Sequence, residues 1–213
     1  MPRIVLLHGA ATTPAVWSRV AALLGGREVV APERPSTGSL ASELGWLAPL
    51  AEGALVVGAS GGATLCLALA ASDVRLAGAI AHEPAVGRLV PELLAPIAAA
   101  HATHGAAGMG RALYGPLWEP SMAPDAGAVA RDLQMFRAFE PARAATGQGR
   151  VLVTTGARSP KVRFIAAARL ATDLGYRTTT IPDCGHFVAF ENPESLAALI
   201  ADTADALDGL RDD

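Results

Sequence analysis

Val56-Val57-Gly58-Ala59-Ser60-Gly61-Gly62 is the stretch whose reading decides the fold. A short apolar run, Ala54 to Val57, leads into a serine with glycine two positions away on either side, and an apolar helical pattern, Gly62 to Ala71, follows. A serine set at a sharp strand-to-helix turn needs glycine neighbours, because the backbone there is strained and the helix passes close behind it. The motif alone is less specific than it looks. With 22 glycines in 213 residues, a given position is flanked by such a pair by chance about 1% of the time. A glycine-rich turn before a core helix is the bland alternative, and the elements around it carry the decision.

Working outward, five further short runs predict strands: Ile4 to Leu7, Glu28 to Ala31, Leu76 to Ala81, Val151 to Thr154 and Arg177 to Ile181. Short apolar runs are the pattern of strands buried on both faces of a parallel sheet. Helical stretches separate them. Thr13 and Pro14 open one that Gly25 and Gly26 end, Ser39 opens another that ends near Gly53, and Lys161 to Leu174 and Pro193 to Leu207 supply two more. This alternation predicts an α/β domain, a mostly parallel, doubly wound sheet of about six strands. Residues 84 to 148 break the rhythm. They show Ala- and Leu-rich helical pieces interrupted at Pro91, Pro96, Gly105, Gly108, Pro116, Pro120 and Pro124, which predicts a helical lid inserted into one domain spanning residues 1–213.

The bulk composition narrows the classes. Apolar residues make up 51% and charged ones 17%, which excludes a disordered chain. A net charge of -3 without a Lys/Arg cluster argues against nucleic acid as a partner. Gly53 to Ser72 carries no charge over about the ~20 residues that a bilayer requires. Glycines around a serine in mid-run suit a buried strand, turn and helix better than a membrane span. Cys66 and Cys184 are too few for a disulfide framework, and the apolar run near the start is too short for a secretory signal, so a reducing, cytoplasmic setting is expected.

Chemistry concentrates where predicted strands end. The first ends in His8 and Gly9, followed by Ala10 and Ala11, a small-residue loop able to turn a backbone N–H toward Ser60. The N–H of Gly61 is the second donor of an oxyanion hole. His8 itself reads as structural. Near the C-terminus, Pro182 to Glu194 reads PDCGHFVAFENPE, with His186 after the last strand and before the last helix. Histidine is the usual proton shuttle at neutral pH, and a loop at the carboxyl edge is where it can reach Ser60. His82, His101 and His104 lack that placement. No cluster of His, Cys, Asp or Glu has a metal-ligand spacing, and no cofactor is expected.

With these segments in order, the chain resembles the α/β-hydrolase superfamily over nearly its whole length. LLHGA resembles the family's oxyanion loop, APERPSTGS (Ala31 to Ser39) a common loop with Pro, an acidic residue and Gly, GASGG the nucleophile elbow, and CGHFVAFENPE the histidine loop. The resemblance implies Ser60 attack on a carbonyl, His186 as base and then acid, and the amides of Ala10 and Gly61 on the oxyanion. It also implies a core lacking the family's two leading strands, with order 2-1-3-4-5-6. One departure stands out. Where the family's acid usually lies, in a pattern like GxxD, this chain reads Gly156-Ala157-Arg158-Ser159.

Glu83 is the expected acid. It follows the strand after the nucleophile helix, keeps the family's order of Ser, acid, His, and sits in an EPA segment resembling the DPA of some lipases. Asp183 and Glu191 are rivals placed for loop and cap roles, and Glu83 itself has a bland reading as a helix cap. The expected function is hydrolysis of a carboxylic ester or thioester of a small to medium apolar substrate through an acyl-enzyme. Ala11, Trp118, Met135, Phe136 and Phe187 are the candidate substrate contacts. Two alternatives share the fold: a lyase or cyclising thioesterase, and a non-catalytic ligand-binding protein.

Overall fold

The computed structural model describes residues 1–209. Six strands form one parallel sheet in the order β2-β1-β3-β4-β5-β6: β1 (Ile4–Leu7), β2 (Val29–Val30), β3 (Leu55–Ala59), β4 (Gly78–His82), β5 (Arg150–Gly156) and β6 (Arg177–Ile181). The helices are α1 (Ser18–Leu23), α2 (Leu40–Ala51), α3 (Gly61–Ala70), α4 (Ala95–Tyr114), α5 (Ala126–Ala138), α6 (Lys161–Leu174), α7 (Val188–Glu191) and α8 (Pro193–Gly209). The sheet grows from β1 first to β2 and then back past β1 to β3, so right-handed crossovers put α1 on one face and α2, α3 and α6 on the other. Accordingly α1 packs on α8, and α2 on α3.

β1, β3 and β4 lie inside the sheet and are buried almost throughout, as their apolar runs require. The strands at the two sides differ from that pattern. β2 is only two residues long and half-buried, and in β6 the residues Arg177 to Thr180 are exposed while Ile181 alone is buried. Each pairs with one neighbour only, so an Arg-Thr-rich sequence is tolerated where an interior strand would need apolar side chains on both faces.

The uncharged run from Gly53 to Ser72 is β3 followed by α3, every residue of which is buried. Among the described residues no helix is long and apolar enough to cross a membrane. Gly58 and Gly62 make this strand-helix contact possible. A Cβ on Gly58 would stand 2.3 Å from the carbonyl of Gly62, and one on Gly62 would stand 2.0 Å from the carbonyl oxygen of Leu7. Cys66 and Cys184 are buried free thiols.

Between β4 and β5 the described chain is helical, built from α4, α5 and short 3-10 turns. Gly105 interrupts α4 with φ 60°, and Gly115, with φ 66°, ends it just after Tyr114. α5 starts on an Asp125 cap, whose carboxylate accepts the N–H of Ala128 at 2.9 Å.

Candidate active site

The sheet register brings the chemistry together. Ala59 pairs with His82, and His82 with Thr154. The ladder continues one step further, with the N–H of Ser60 donating to His82 O and that of Glu83 to Thr154 O, both at 2.9 Å. Ser60 and Glu83 therefore leave adjacent strands at the same height on the carboxyl edge. Both have left-handed backbones, φ 55° and 48°, as does Ala11 at 56°. Conformations that a side chain resists persist where the surroundings over-determine them, and such residues cluster at functional sites.

Glu83 is buried and its carboxylate meets only donors. Oε2 accepts from His186 Nδ1 at 2.8 Å, while Oε1 accepts the N–H of Gly156 at 2.9 Å and the hydroxyl of Ser159. Ser159, at the position where the family's acid usually lies, is thus a hydrogen-bond partner of Glu83. Arg163 Nε lies 3.4 Å from Oε2. Burial pushes the Glu83 carboxyl upward, but the bond to His186 and the facing positive groups, Arg163 among them, hold it well below the usual carboxylate range.

The tautomer of His186 follows from its neighbours. A guanidinium can only donate, and Arg163 Nη2 lies 3.3 Å from His186 Nε2. Nε2 is therefore the unprotonated acceptor, and Nδ1–H donates to Glu83. That is the form a general base needs. Burial holds the imidazole down to about 4, Arg163 pushes the same way, and Glu83 opposes them. His82 supports the loop from below: its Nδ1 lies 3.0 Å from the Thr154 hydroxyl, and its Nε2 lies 3.1 Å from the carbonyl of Gly185, next to His186. Glu191 accepts the N–H groups of Gly185 and Phe187 at 2.8 and 3.2 Å, so it fixes the loop on both sides of the histidine.

Tyr114, at the end of α4, covers the site. Its ring stacks on that of His186 with centroids 5.5 Å apart, and its hydroxyl donates to Ala10 O at 2.8 Å. The hydroxyl also lies beside the side chains of Ser60 and Thr12, and burial pushes it up to about 12. Among the described residues no hydrogen bond joins Ser60 to His186, and no protein acceptor takes the N–H of Ala10 or Gly61.

A cavity of about 580 Å³ opens on the other side of Tyr114. Its polar lining comes from His186, Tyr114, Arg163, Arg158, Ser159 and Glu191, and its apolar walls from Leu93, Pro96, Ile97, Leu113, Leu117 and Val162. None of Ala11, Trp118, Met135, Phe136 and Phe187 lines it. Trp118 Nε1 instead donates to Ala11 O at 2.7 Å, holding the loop after β1. Phe136 lies so close to Gly61 that a Cβ there would meet the ring at 2.3 Å. Phe187 stacks on Phe190, and Met135 borders a separate surface hollow.

Phe136 and α5 are tied to α2 and to the loop after β2 by a buried charge cluster. Arg34 Nη1 and Nη2 bond Glu43 at 3.2 Å and Asp132 at 2.6 Å, with Phe136 5.9 Å from the guanidinium. His8 also has a structural place, since its Nε2 accepts the N–H of Arg34 at 3.4 Å and its Nδ1 lies 3.0 Å from Gly9 O. Sequence reasoning missed Arg163 as a partner of Glu83, and His82 as a support. No motif signals an arginine in the first turn of a helix as a partner of a distant carboxylate. His82 had a signal in its position immediately before Glu83.

Known proteins share this architecture. An enol-lactonase from Burkholderia xenovorans LB400 superposes with a TM-score of 0.75 at 21% identity, over 96% of this chain and 91% of that one. A carboxylesterase from Bacillus subtilis gives 0.64 at 18%, over 95% and 83%. A type II thioesterase from the borrelidin biosynthetic cluster gives 0.68 at 18%, over 95% and 92%. No curated protein sequence matches. The model described as "Alpha/beta hydrolase family" matches residues 4–199, and the chain belongs to that family.

Proposed function

We propose that the protein is a serine hydrolase that cleaves a carboxylic ester or thioester through an acyl-enzyme, with Ser60 as nucleophile, His186 as base and Glu83 as acid. The observation that carries this reading is the His186–Glu83 pair: a 2.8 Å bond from Nδ1 to Oε2 with the Nε2 lone pair left as acceptor, beside a strained Ser60 on the next strand end. The fold relatives named as enol-lactonase, carboxylesterase and thioesterase agree with acyl transfer to oxygen or sulfur leaving groups.

In the reaction Ser60 Oγ attacks the carbonyl carbon while its proton passes to His186 Nε2, which must exchange Arg163 for the serine. The N–H groups of Ala10 and Gly61 receive the oxyanion. Collapse of the tetrahedral species expels the alcohol or thiol, protonated by Nε2, and water then cleaves the acyl-serine by the same route in reverse. The apolar walls of the 580 Å³ cavity favour a small to medium apolar portion. Residues 84–148 act as a lid whose Tyr114 must move aside for an acyl group to reach Ser60.

A second reading rests on the missing Ser60–His186 bond: a non-catalytic binding protein on the same fold. A fluorophosphonate probe separates the two. The hydrolase reading expects stoichiometric labelling that Ser60→Ala abolishes, together with a loss on the order of 10⁶ in kcat on chromogenic esters while the fold persists. Retention of more than a tenth of the turnover in Ser60→Ala assigns the chemistry elsewhere, and an inert serine in the parent protein favours the binding reading.

A further inference from the structure

Arg163 is the charged group of the site with no place in the acyl-transfer steps. It lies in the first turn of α6, only 7% exposed, and its guanidinium touches both members of the proposed acid–base pair. Nη1 donates to the backbone carbonyl of Glu83 at 3.2 Å, Nε lies 3.4 Å from its carboxylate, and Nη2 donates to His186 Nε2 at 3.3 Å. A guanidinium does not give up its proton at any working pH, so it is a fixed charge and a rigid fork and neither an acid nor a base.

We infer that Arg163 is a positioning residue for the reaction proposed above: it clamps Glu83 by carbonyl and carboxylate at once, and sets a permanent positive charge against the ring nitrogen that must accept the serine proton. The inference rests on that reading of Ser60, His186 and Glu83. Every element packed on the ring supports it. β4 ends in His82 and the turn after it supplies Glu83, and burial keeps His82 below the usual histidine range and hence neutral at pH 7. α4 supplies Tyr114, neutral there. α7 supplies Glu191, which is engaged by two amides of the histidine loop and by Arg158 at 3.2 Å. Among these groups Arg163 is the full positive charge that faces both the carboxylate and the ring. A neighbouring cation disfavours a second one, so the ring stays a free base to lower pH than an isolated imidazole would.

The test is the acid limb of kcat/KM against pH, which reports the free enzyme's base. Replacing the charge in Arg163→Gln favours the imidazolium, so the limb moves to higher pH by about one to three units. Arg163→Lys keeps a cation beside the ring but cannot hold carbonyl and carboxylate together, so the limb stays and kcat falls. An arginine that serves only folding would lower Tm in both variants and leave the limb unmoved, and that result overturns the proposal. A limb in Arg163→Lys that moves with the Gln variant overturns it as well.

Imidazole ¹⁵N NMR of the substrate-free protein gives a readout that needs no turnover, with the His186 signal assigned through His186→Asn. The His186 titration moves upward in Arg163→Gln, and an unchanged titration refutes the clamp. Loss of fluorophosphonate labelling with the NMR shift intact would overturn the hydrolase reading alone.

Discussion

Replacing Glu83 by glutamine perturbs the site in a way the structure makes calculable. All four groups around the carboxylate are donors: the Nδ1–H of His186, the N–H of Gly156, the Ser159 hydroxyl and Arg163 Nε. An amide presents one oxygen and one NH₂. If the oxygen keeps Gly156 and Ser159, the NH₂ faces His186 Nδ1 and Arg163. The imidazole must then carry its proton on Nε2, where a base needs a lone pair. In the flipped amide the NH₂ opposes the Gly156 N–H, and a buried donor loses its acceptor. The first arrangement yields the wrong tautomer and sets Nε2–H against Arg163 Nη2, and both arrangements remove the charge that stabilises the imidazolium, so kcat falls by roughly 10⁴, which is about 5.4 kcal/mol of barrier.

The same substitution leaves Arg163 a buried cation without its carboxylate, a change that costs about 3–5 kcal/mol. For a chain of this size that lowers Tm by roughly 10 °C, so the variant is both slow and less stable. Initial rates on a chromogenic short-chain ester, together with thermal unfolding followed by circular dichroism, measure the two effects separately. A Glu83→Gln enzyme within tenfold of the parent kcat refutes the acid assignment and leaves a Ser60–His186 dyad as the better account. A full loss of activity with unchanged Tm refutes the ion pair to Arg163 instead.

Two further outcomes follow from the cover and from the buried imidazoles. Tyr114→Ala removes the ring between the large cavity and Ser60, so turnover of bulky acyl esters should rise at least tenfold relative to acetate, at about 3–5 kcal/mol of stability; an unchanged chain-length profile would exclude Tyr114 as a gate. Stability should fall steeply on acidification, because His8 is held down to about 3, His186 to about 4 and His82 below its ordinary value, all chiefly by burial. The unfolded chain takes up these protons near pH 6.5 and the folded one does not, so each contributes up to about 1.4 kcal/mol per pH unit of loss between 6.5 and its folded value. Asp132, pushed up by burial, works in the opposite direction. Unfolding free energies in urea at pH 6 and pH 5 measure the slope, and equal values at the two would contradict neutral buried imidazoles.

The fold was legible because its signals are local. The runs at Ile4, Ala54 and Leu76 are apolar through and through, Ser39 caps α2 by accepting the N–H of Ser42, and Gly175 closes α6 in the left-handed region. Arg177 to Ile181 reads in the sequence as one more short buried run, yet β6 is exposed from Arg177 to Thr180, since exposure depends on which strand ends up at the side of the sheet. Glu83 could be singled out for a similar reason: the order of strands fixes which loops share an edge. The substrate contacts could not be read this way. Trp118 and Phe136 stand at helical or loop positions where an apolar side chain can face a cavity or the chain itself. Here one bonds Ala11 O and the other covers Gly61.

What the sequence hides is the mutual support of the strained positions. Ala11, Ser60 and Glu83 follow β1, β3 and β4, and each has a positive φ that its side chain resists. Each is held by a residue far away in the chain: Ala11 by Trp118 through its carbonyl, Ser60 by the N–H bond to His82 O, and Glu83 by Arg163 through its carbonyl and by the N–H bond to Thr154 O. Trp118 belongs to the helical segment between β4 and β5, and Arg163 to α6, so that segment and the helix after β5 must both be docked before the edge can hold its shape. The strain at Ala11 is thereby coupled to the docking of the segment that carries Tyr114 and Trp118. If residues 84–148 act as the proposed lid, opening it would loosen the Trp118 anchor on the loop after β1, which carries the proposed oxyanion donor Ala10, whereas Arg163, on α6 outside that segment, would still hold Glu83 and His186 in register.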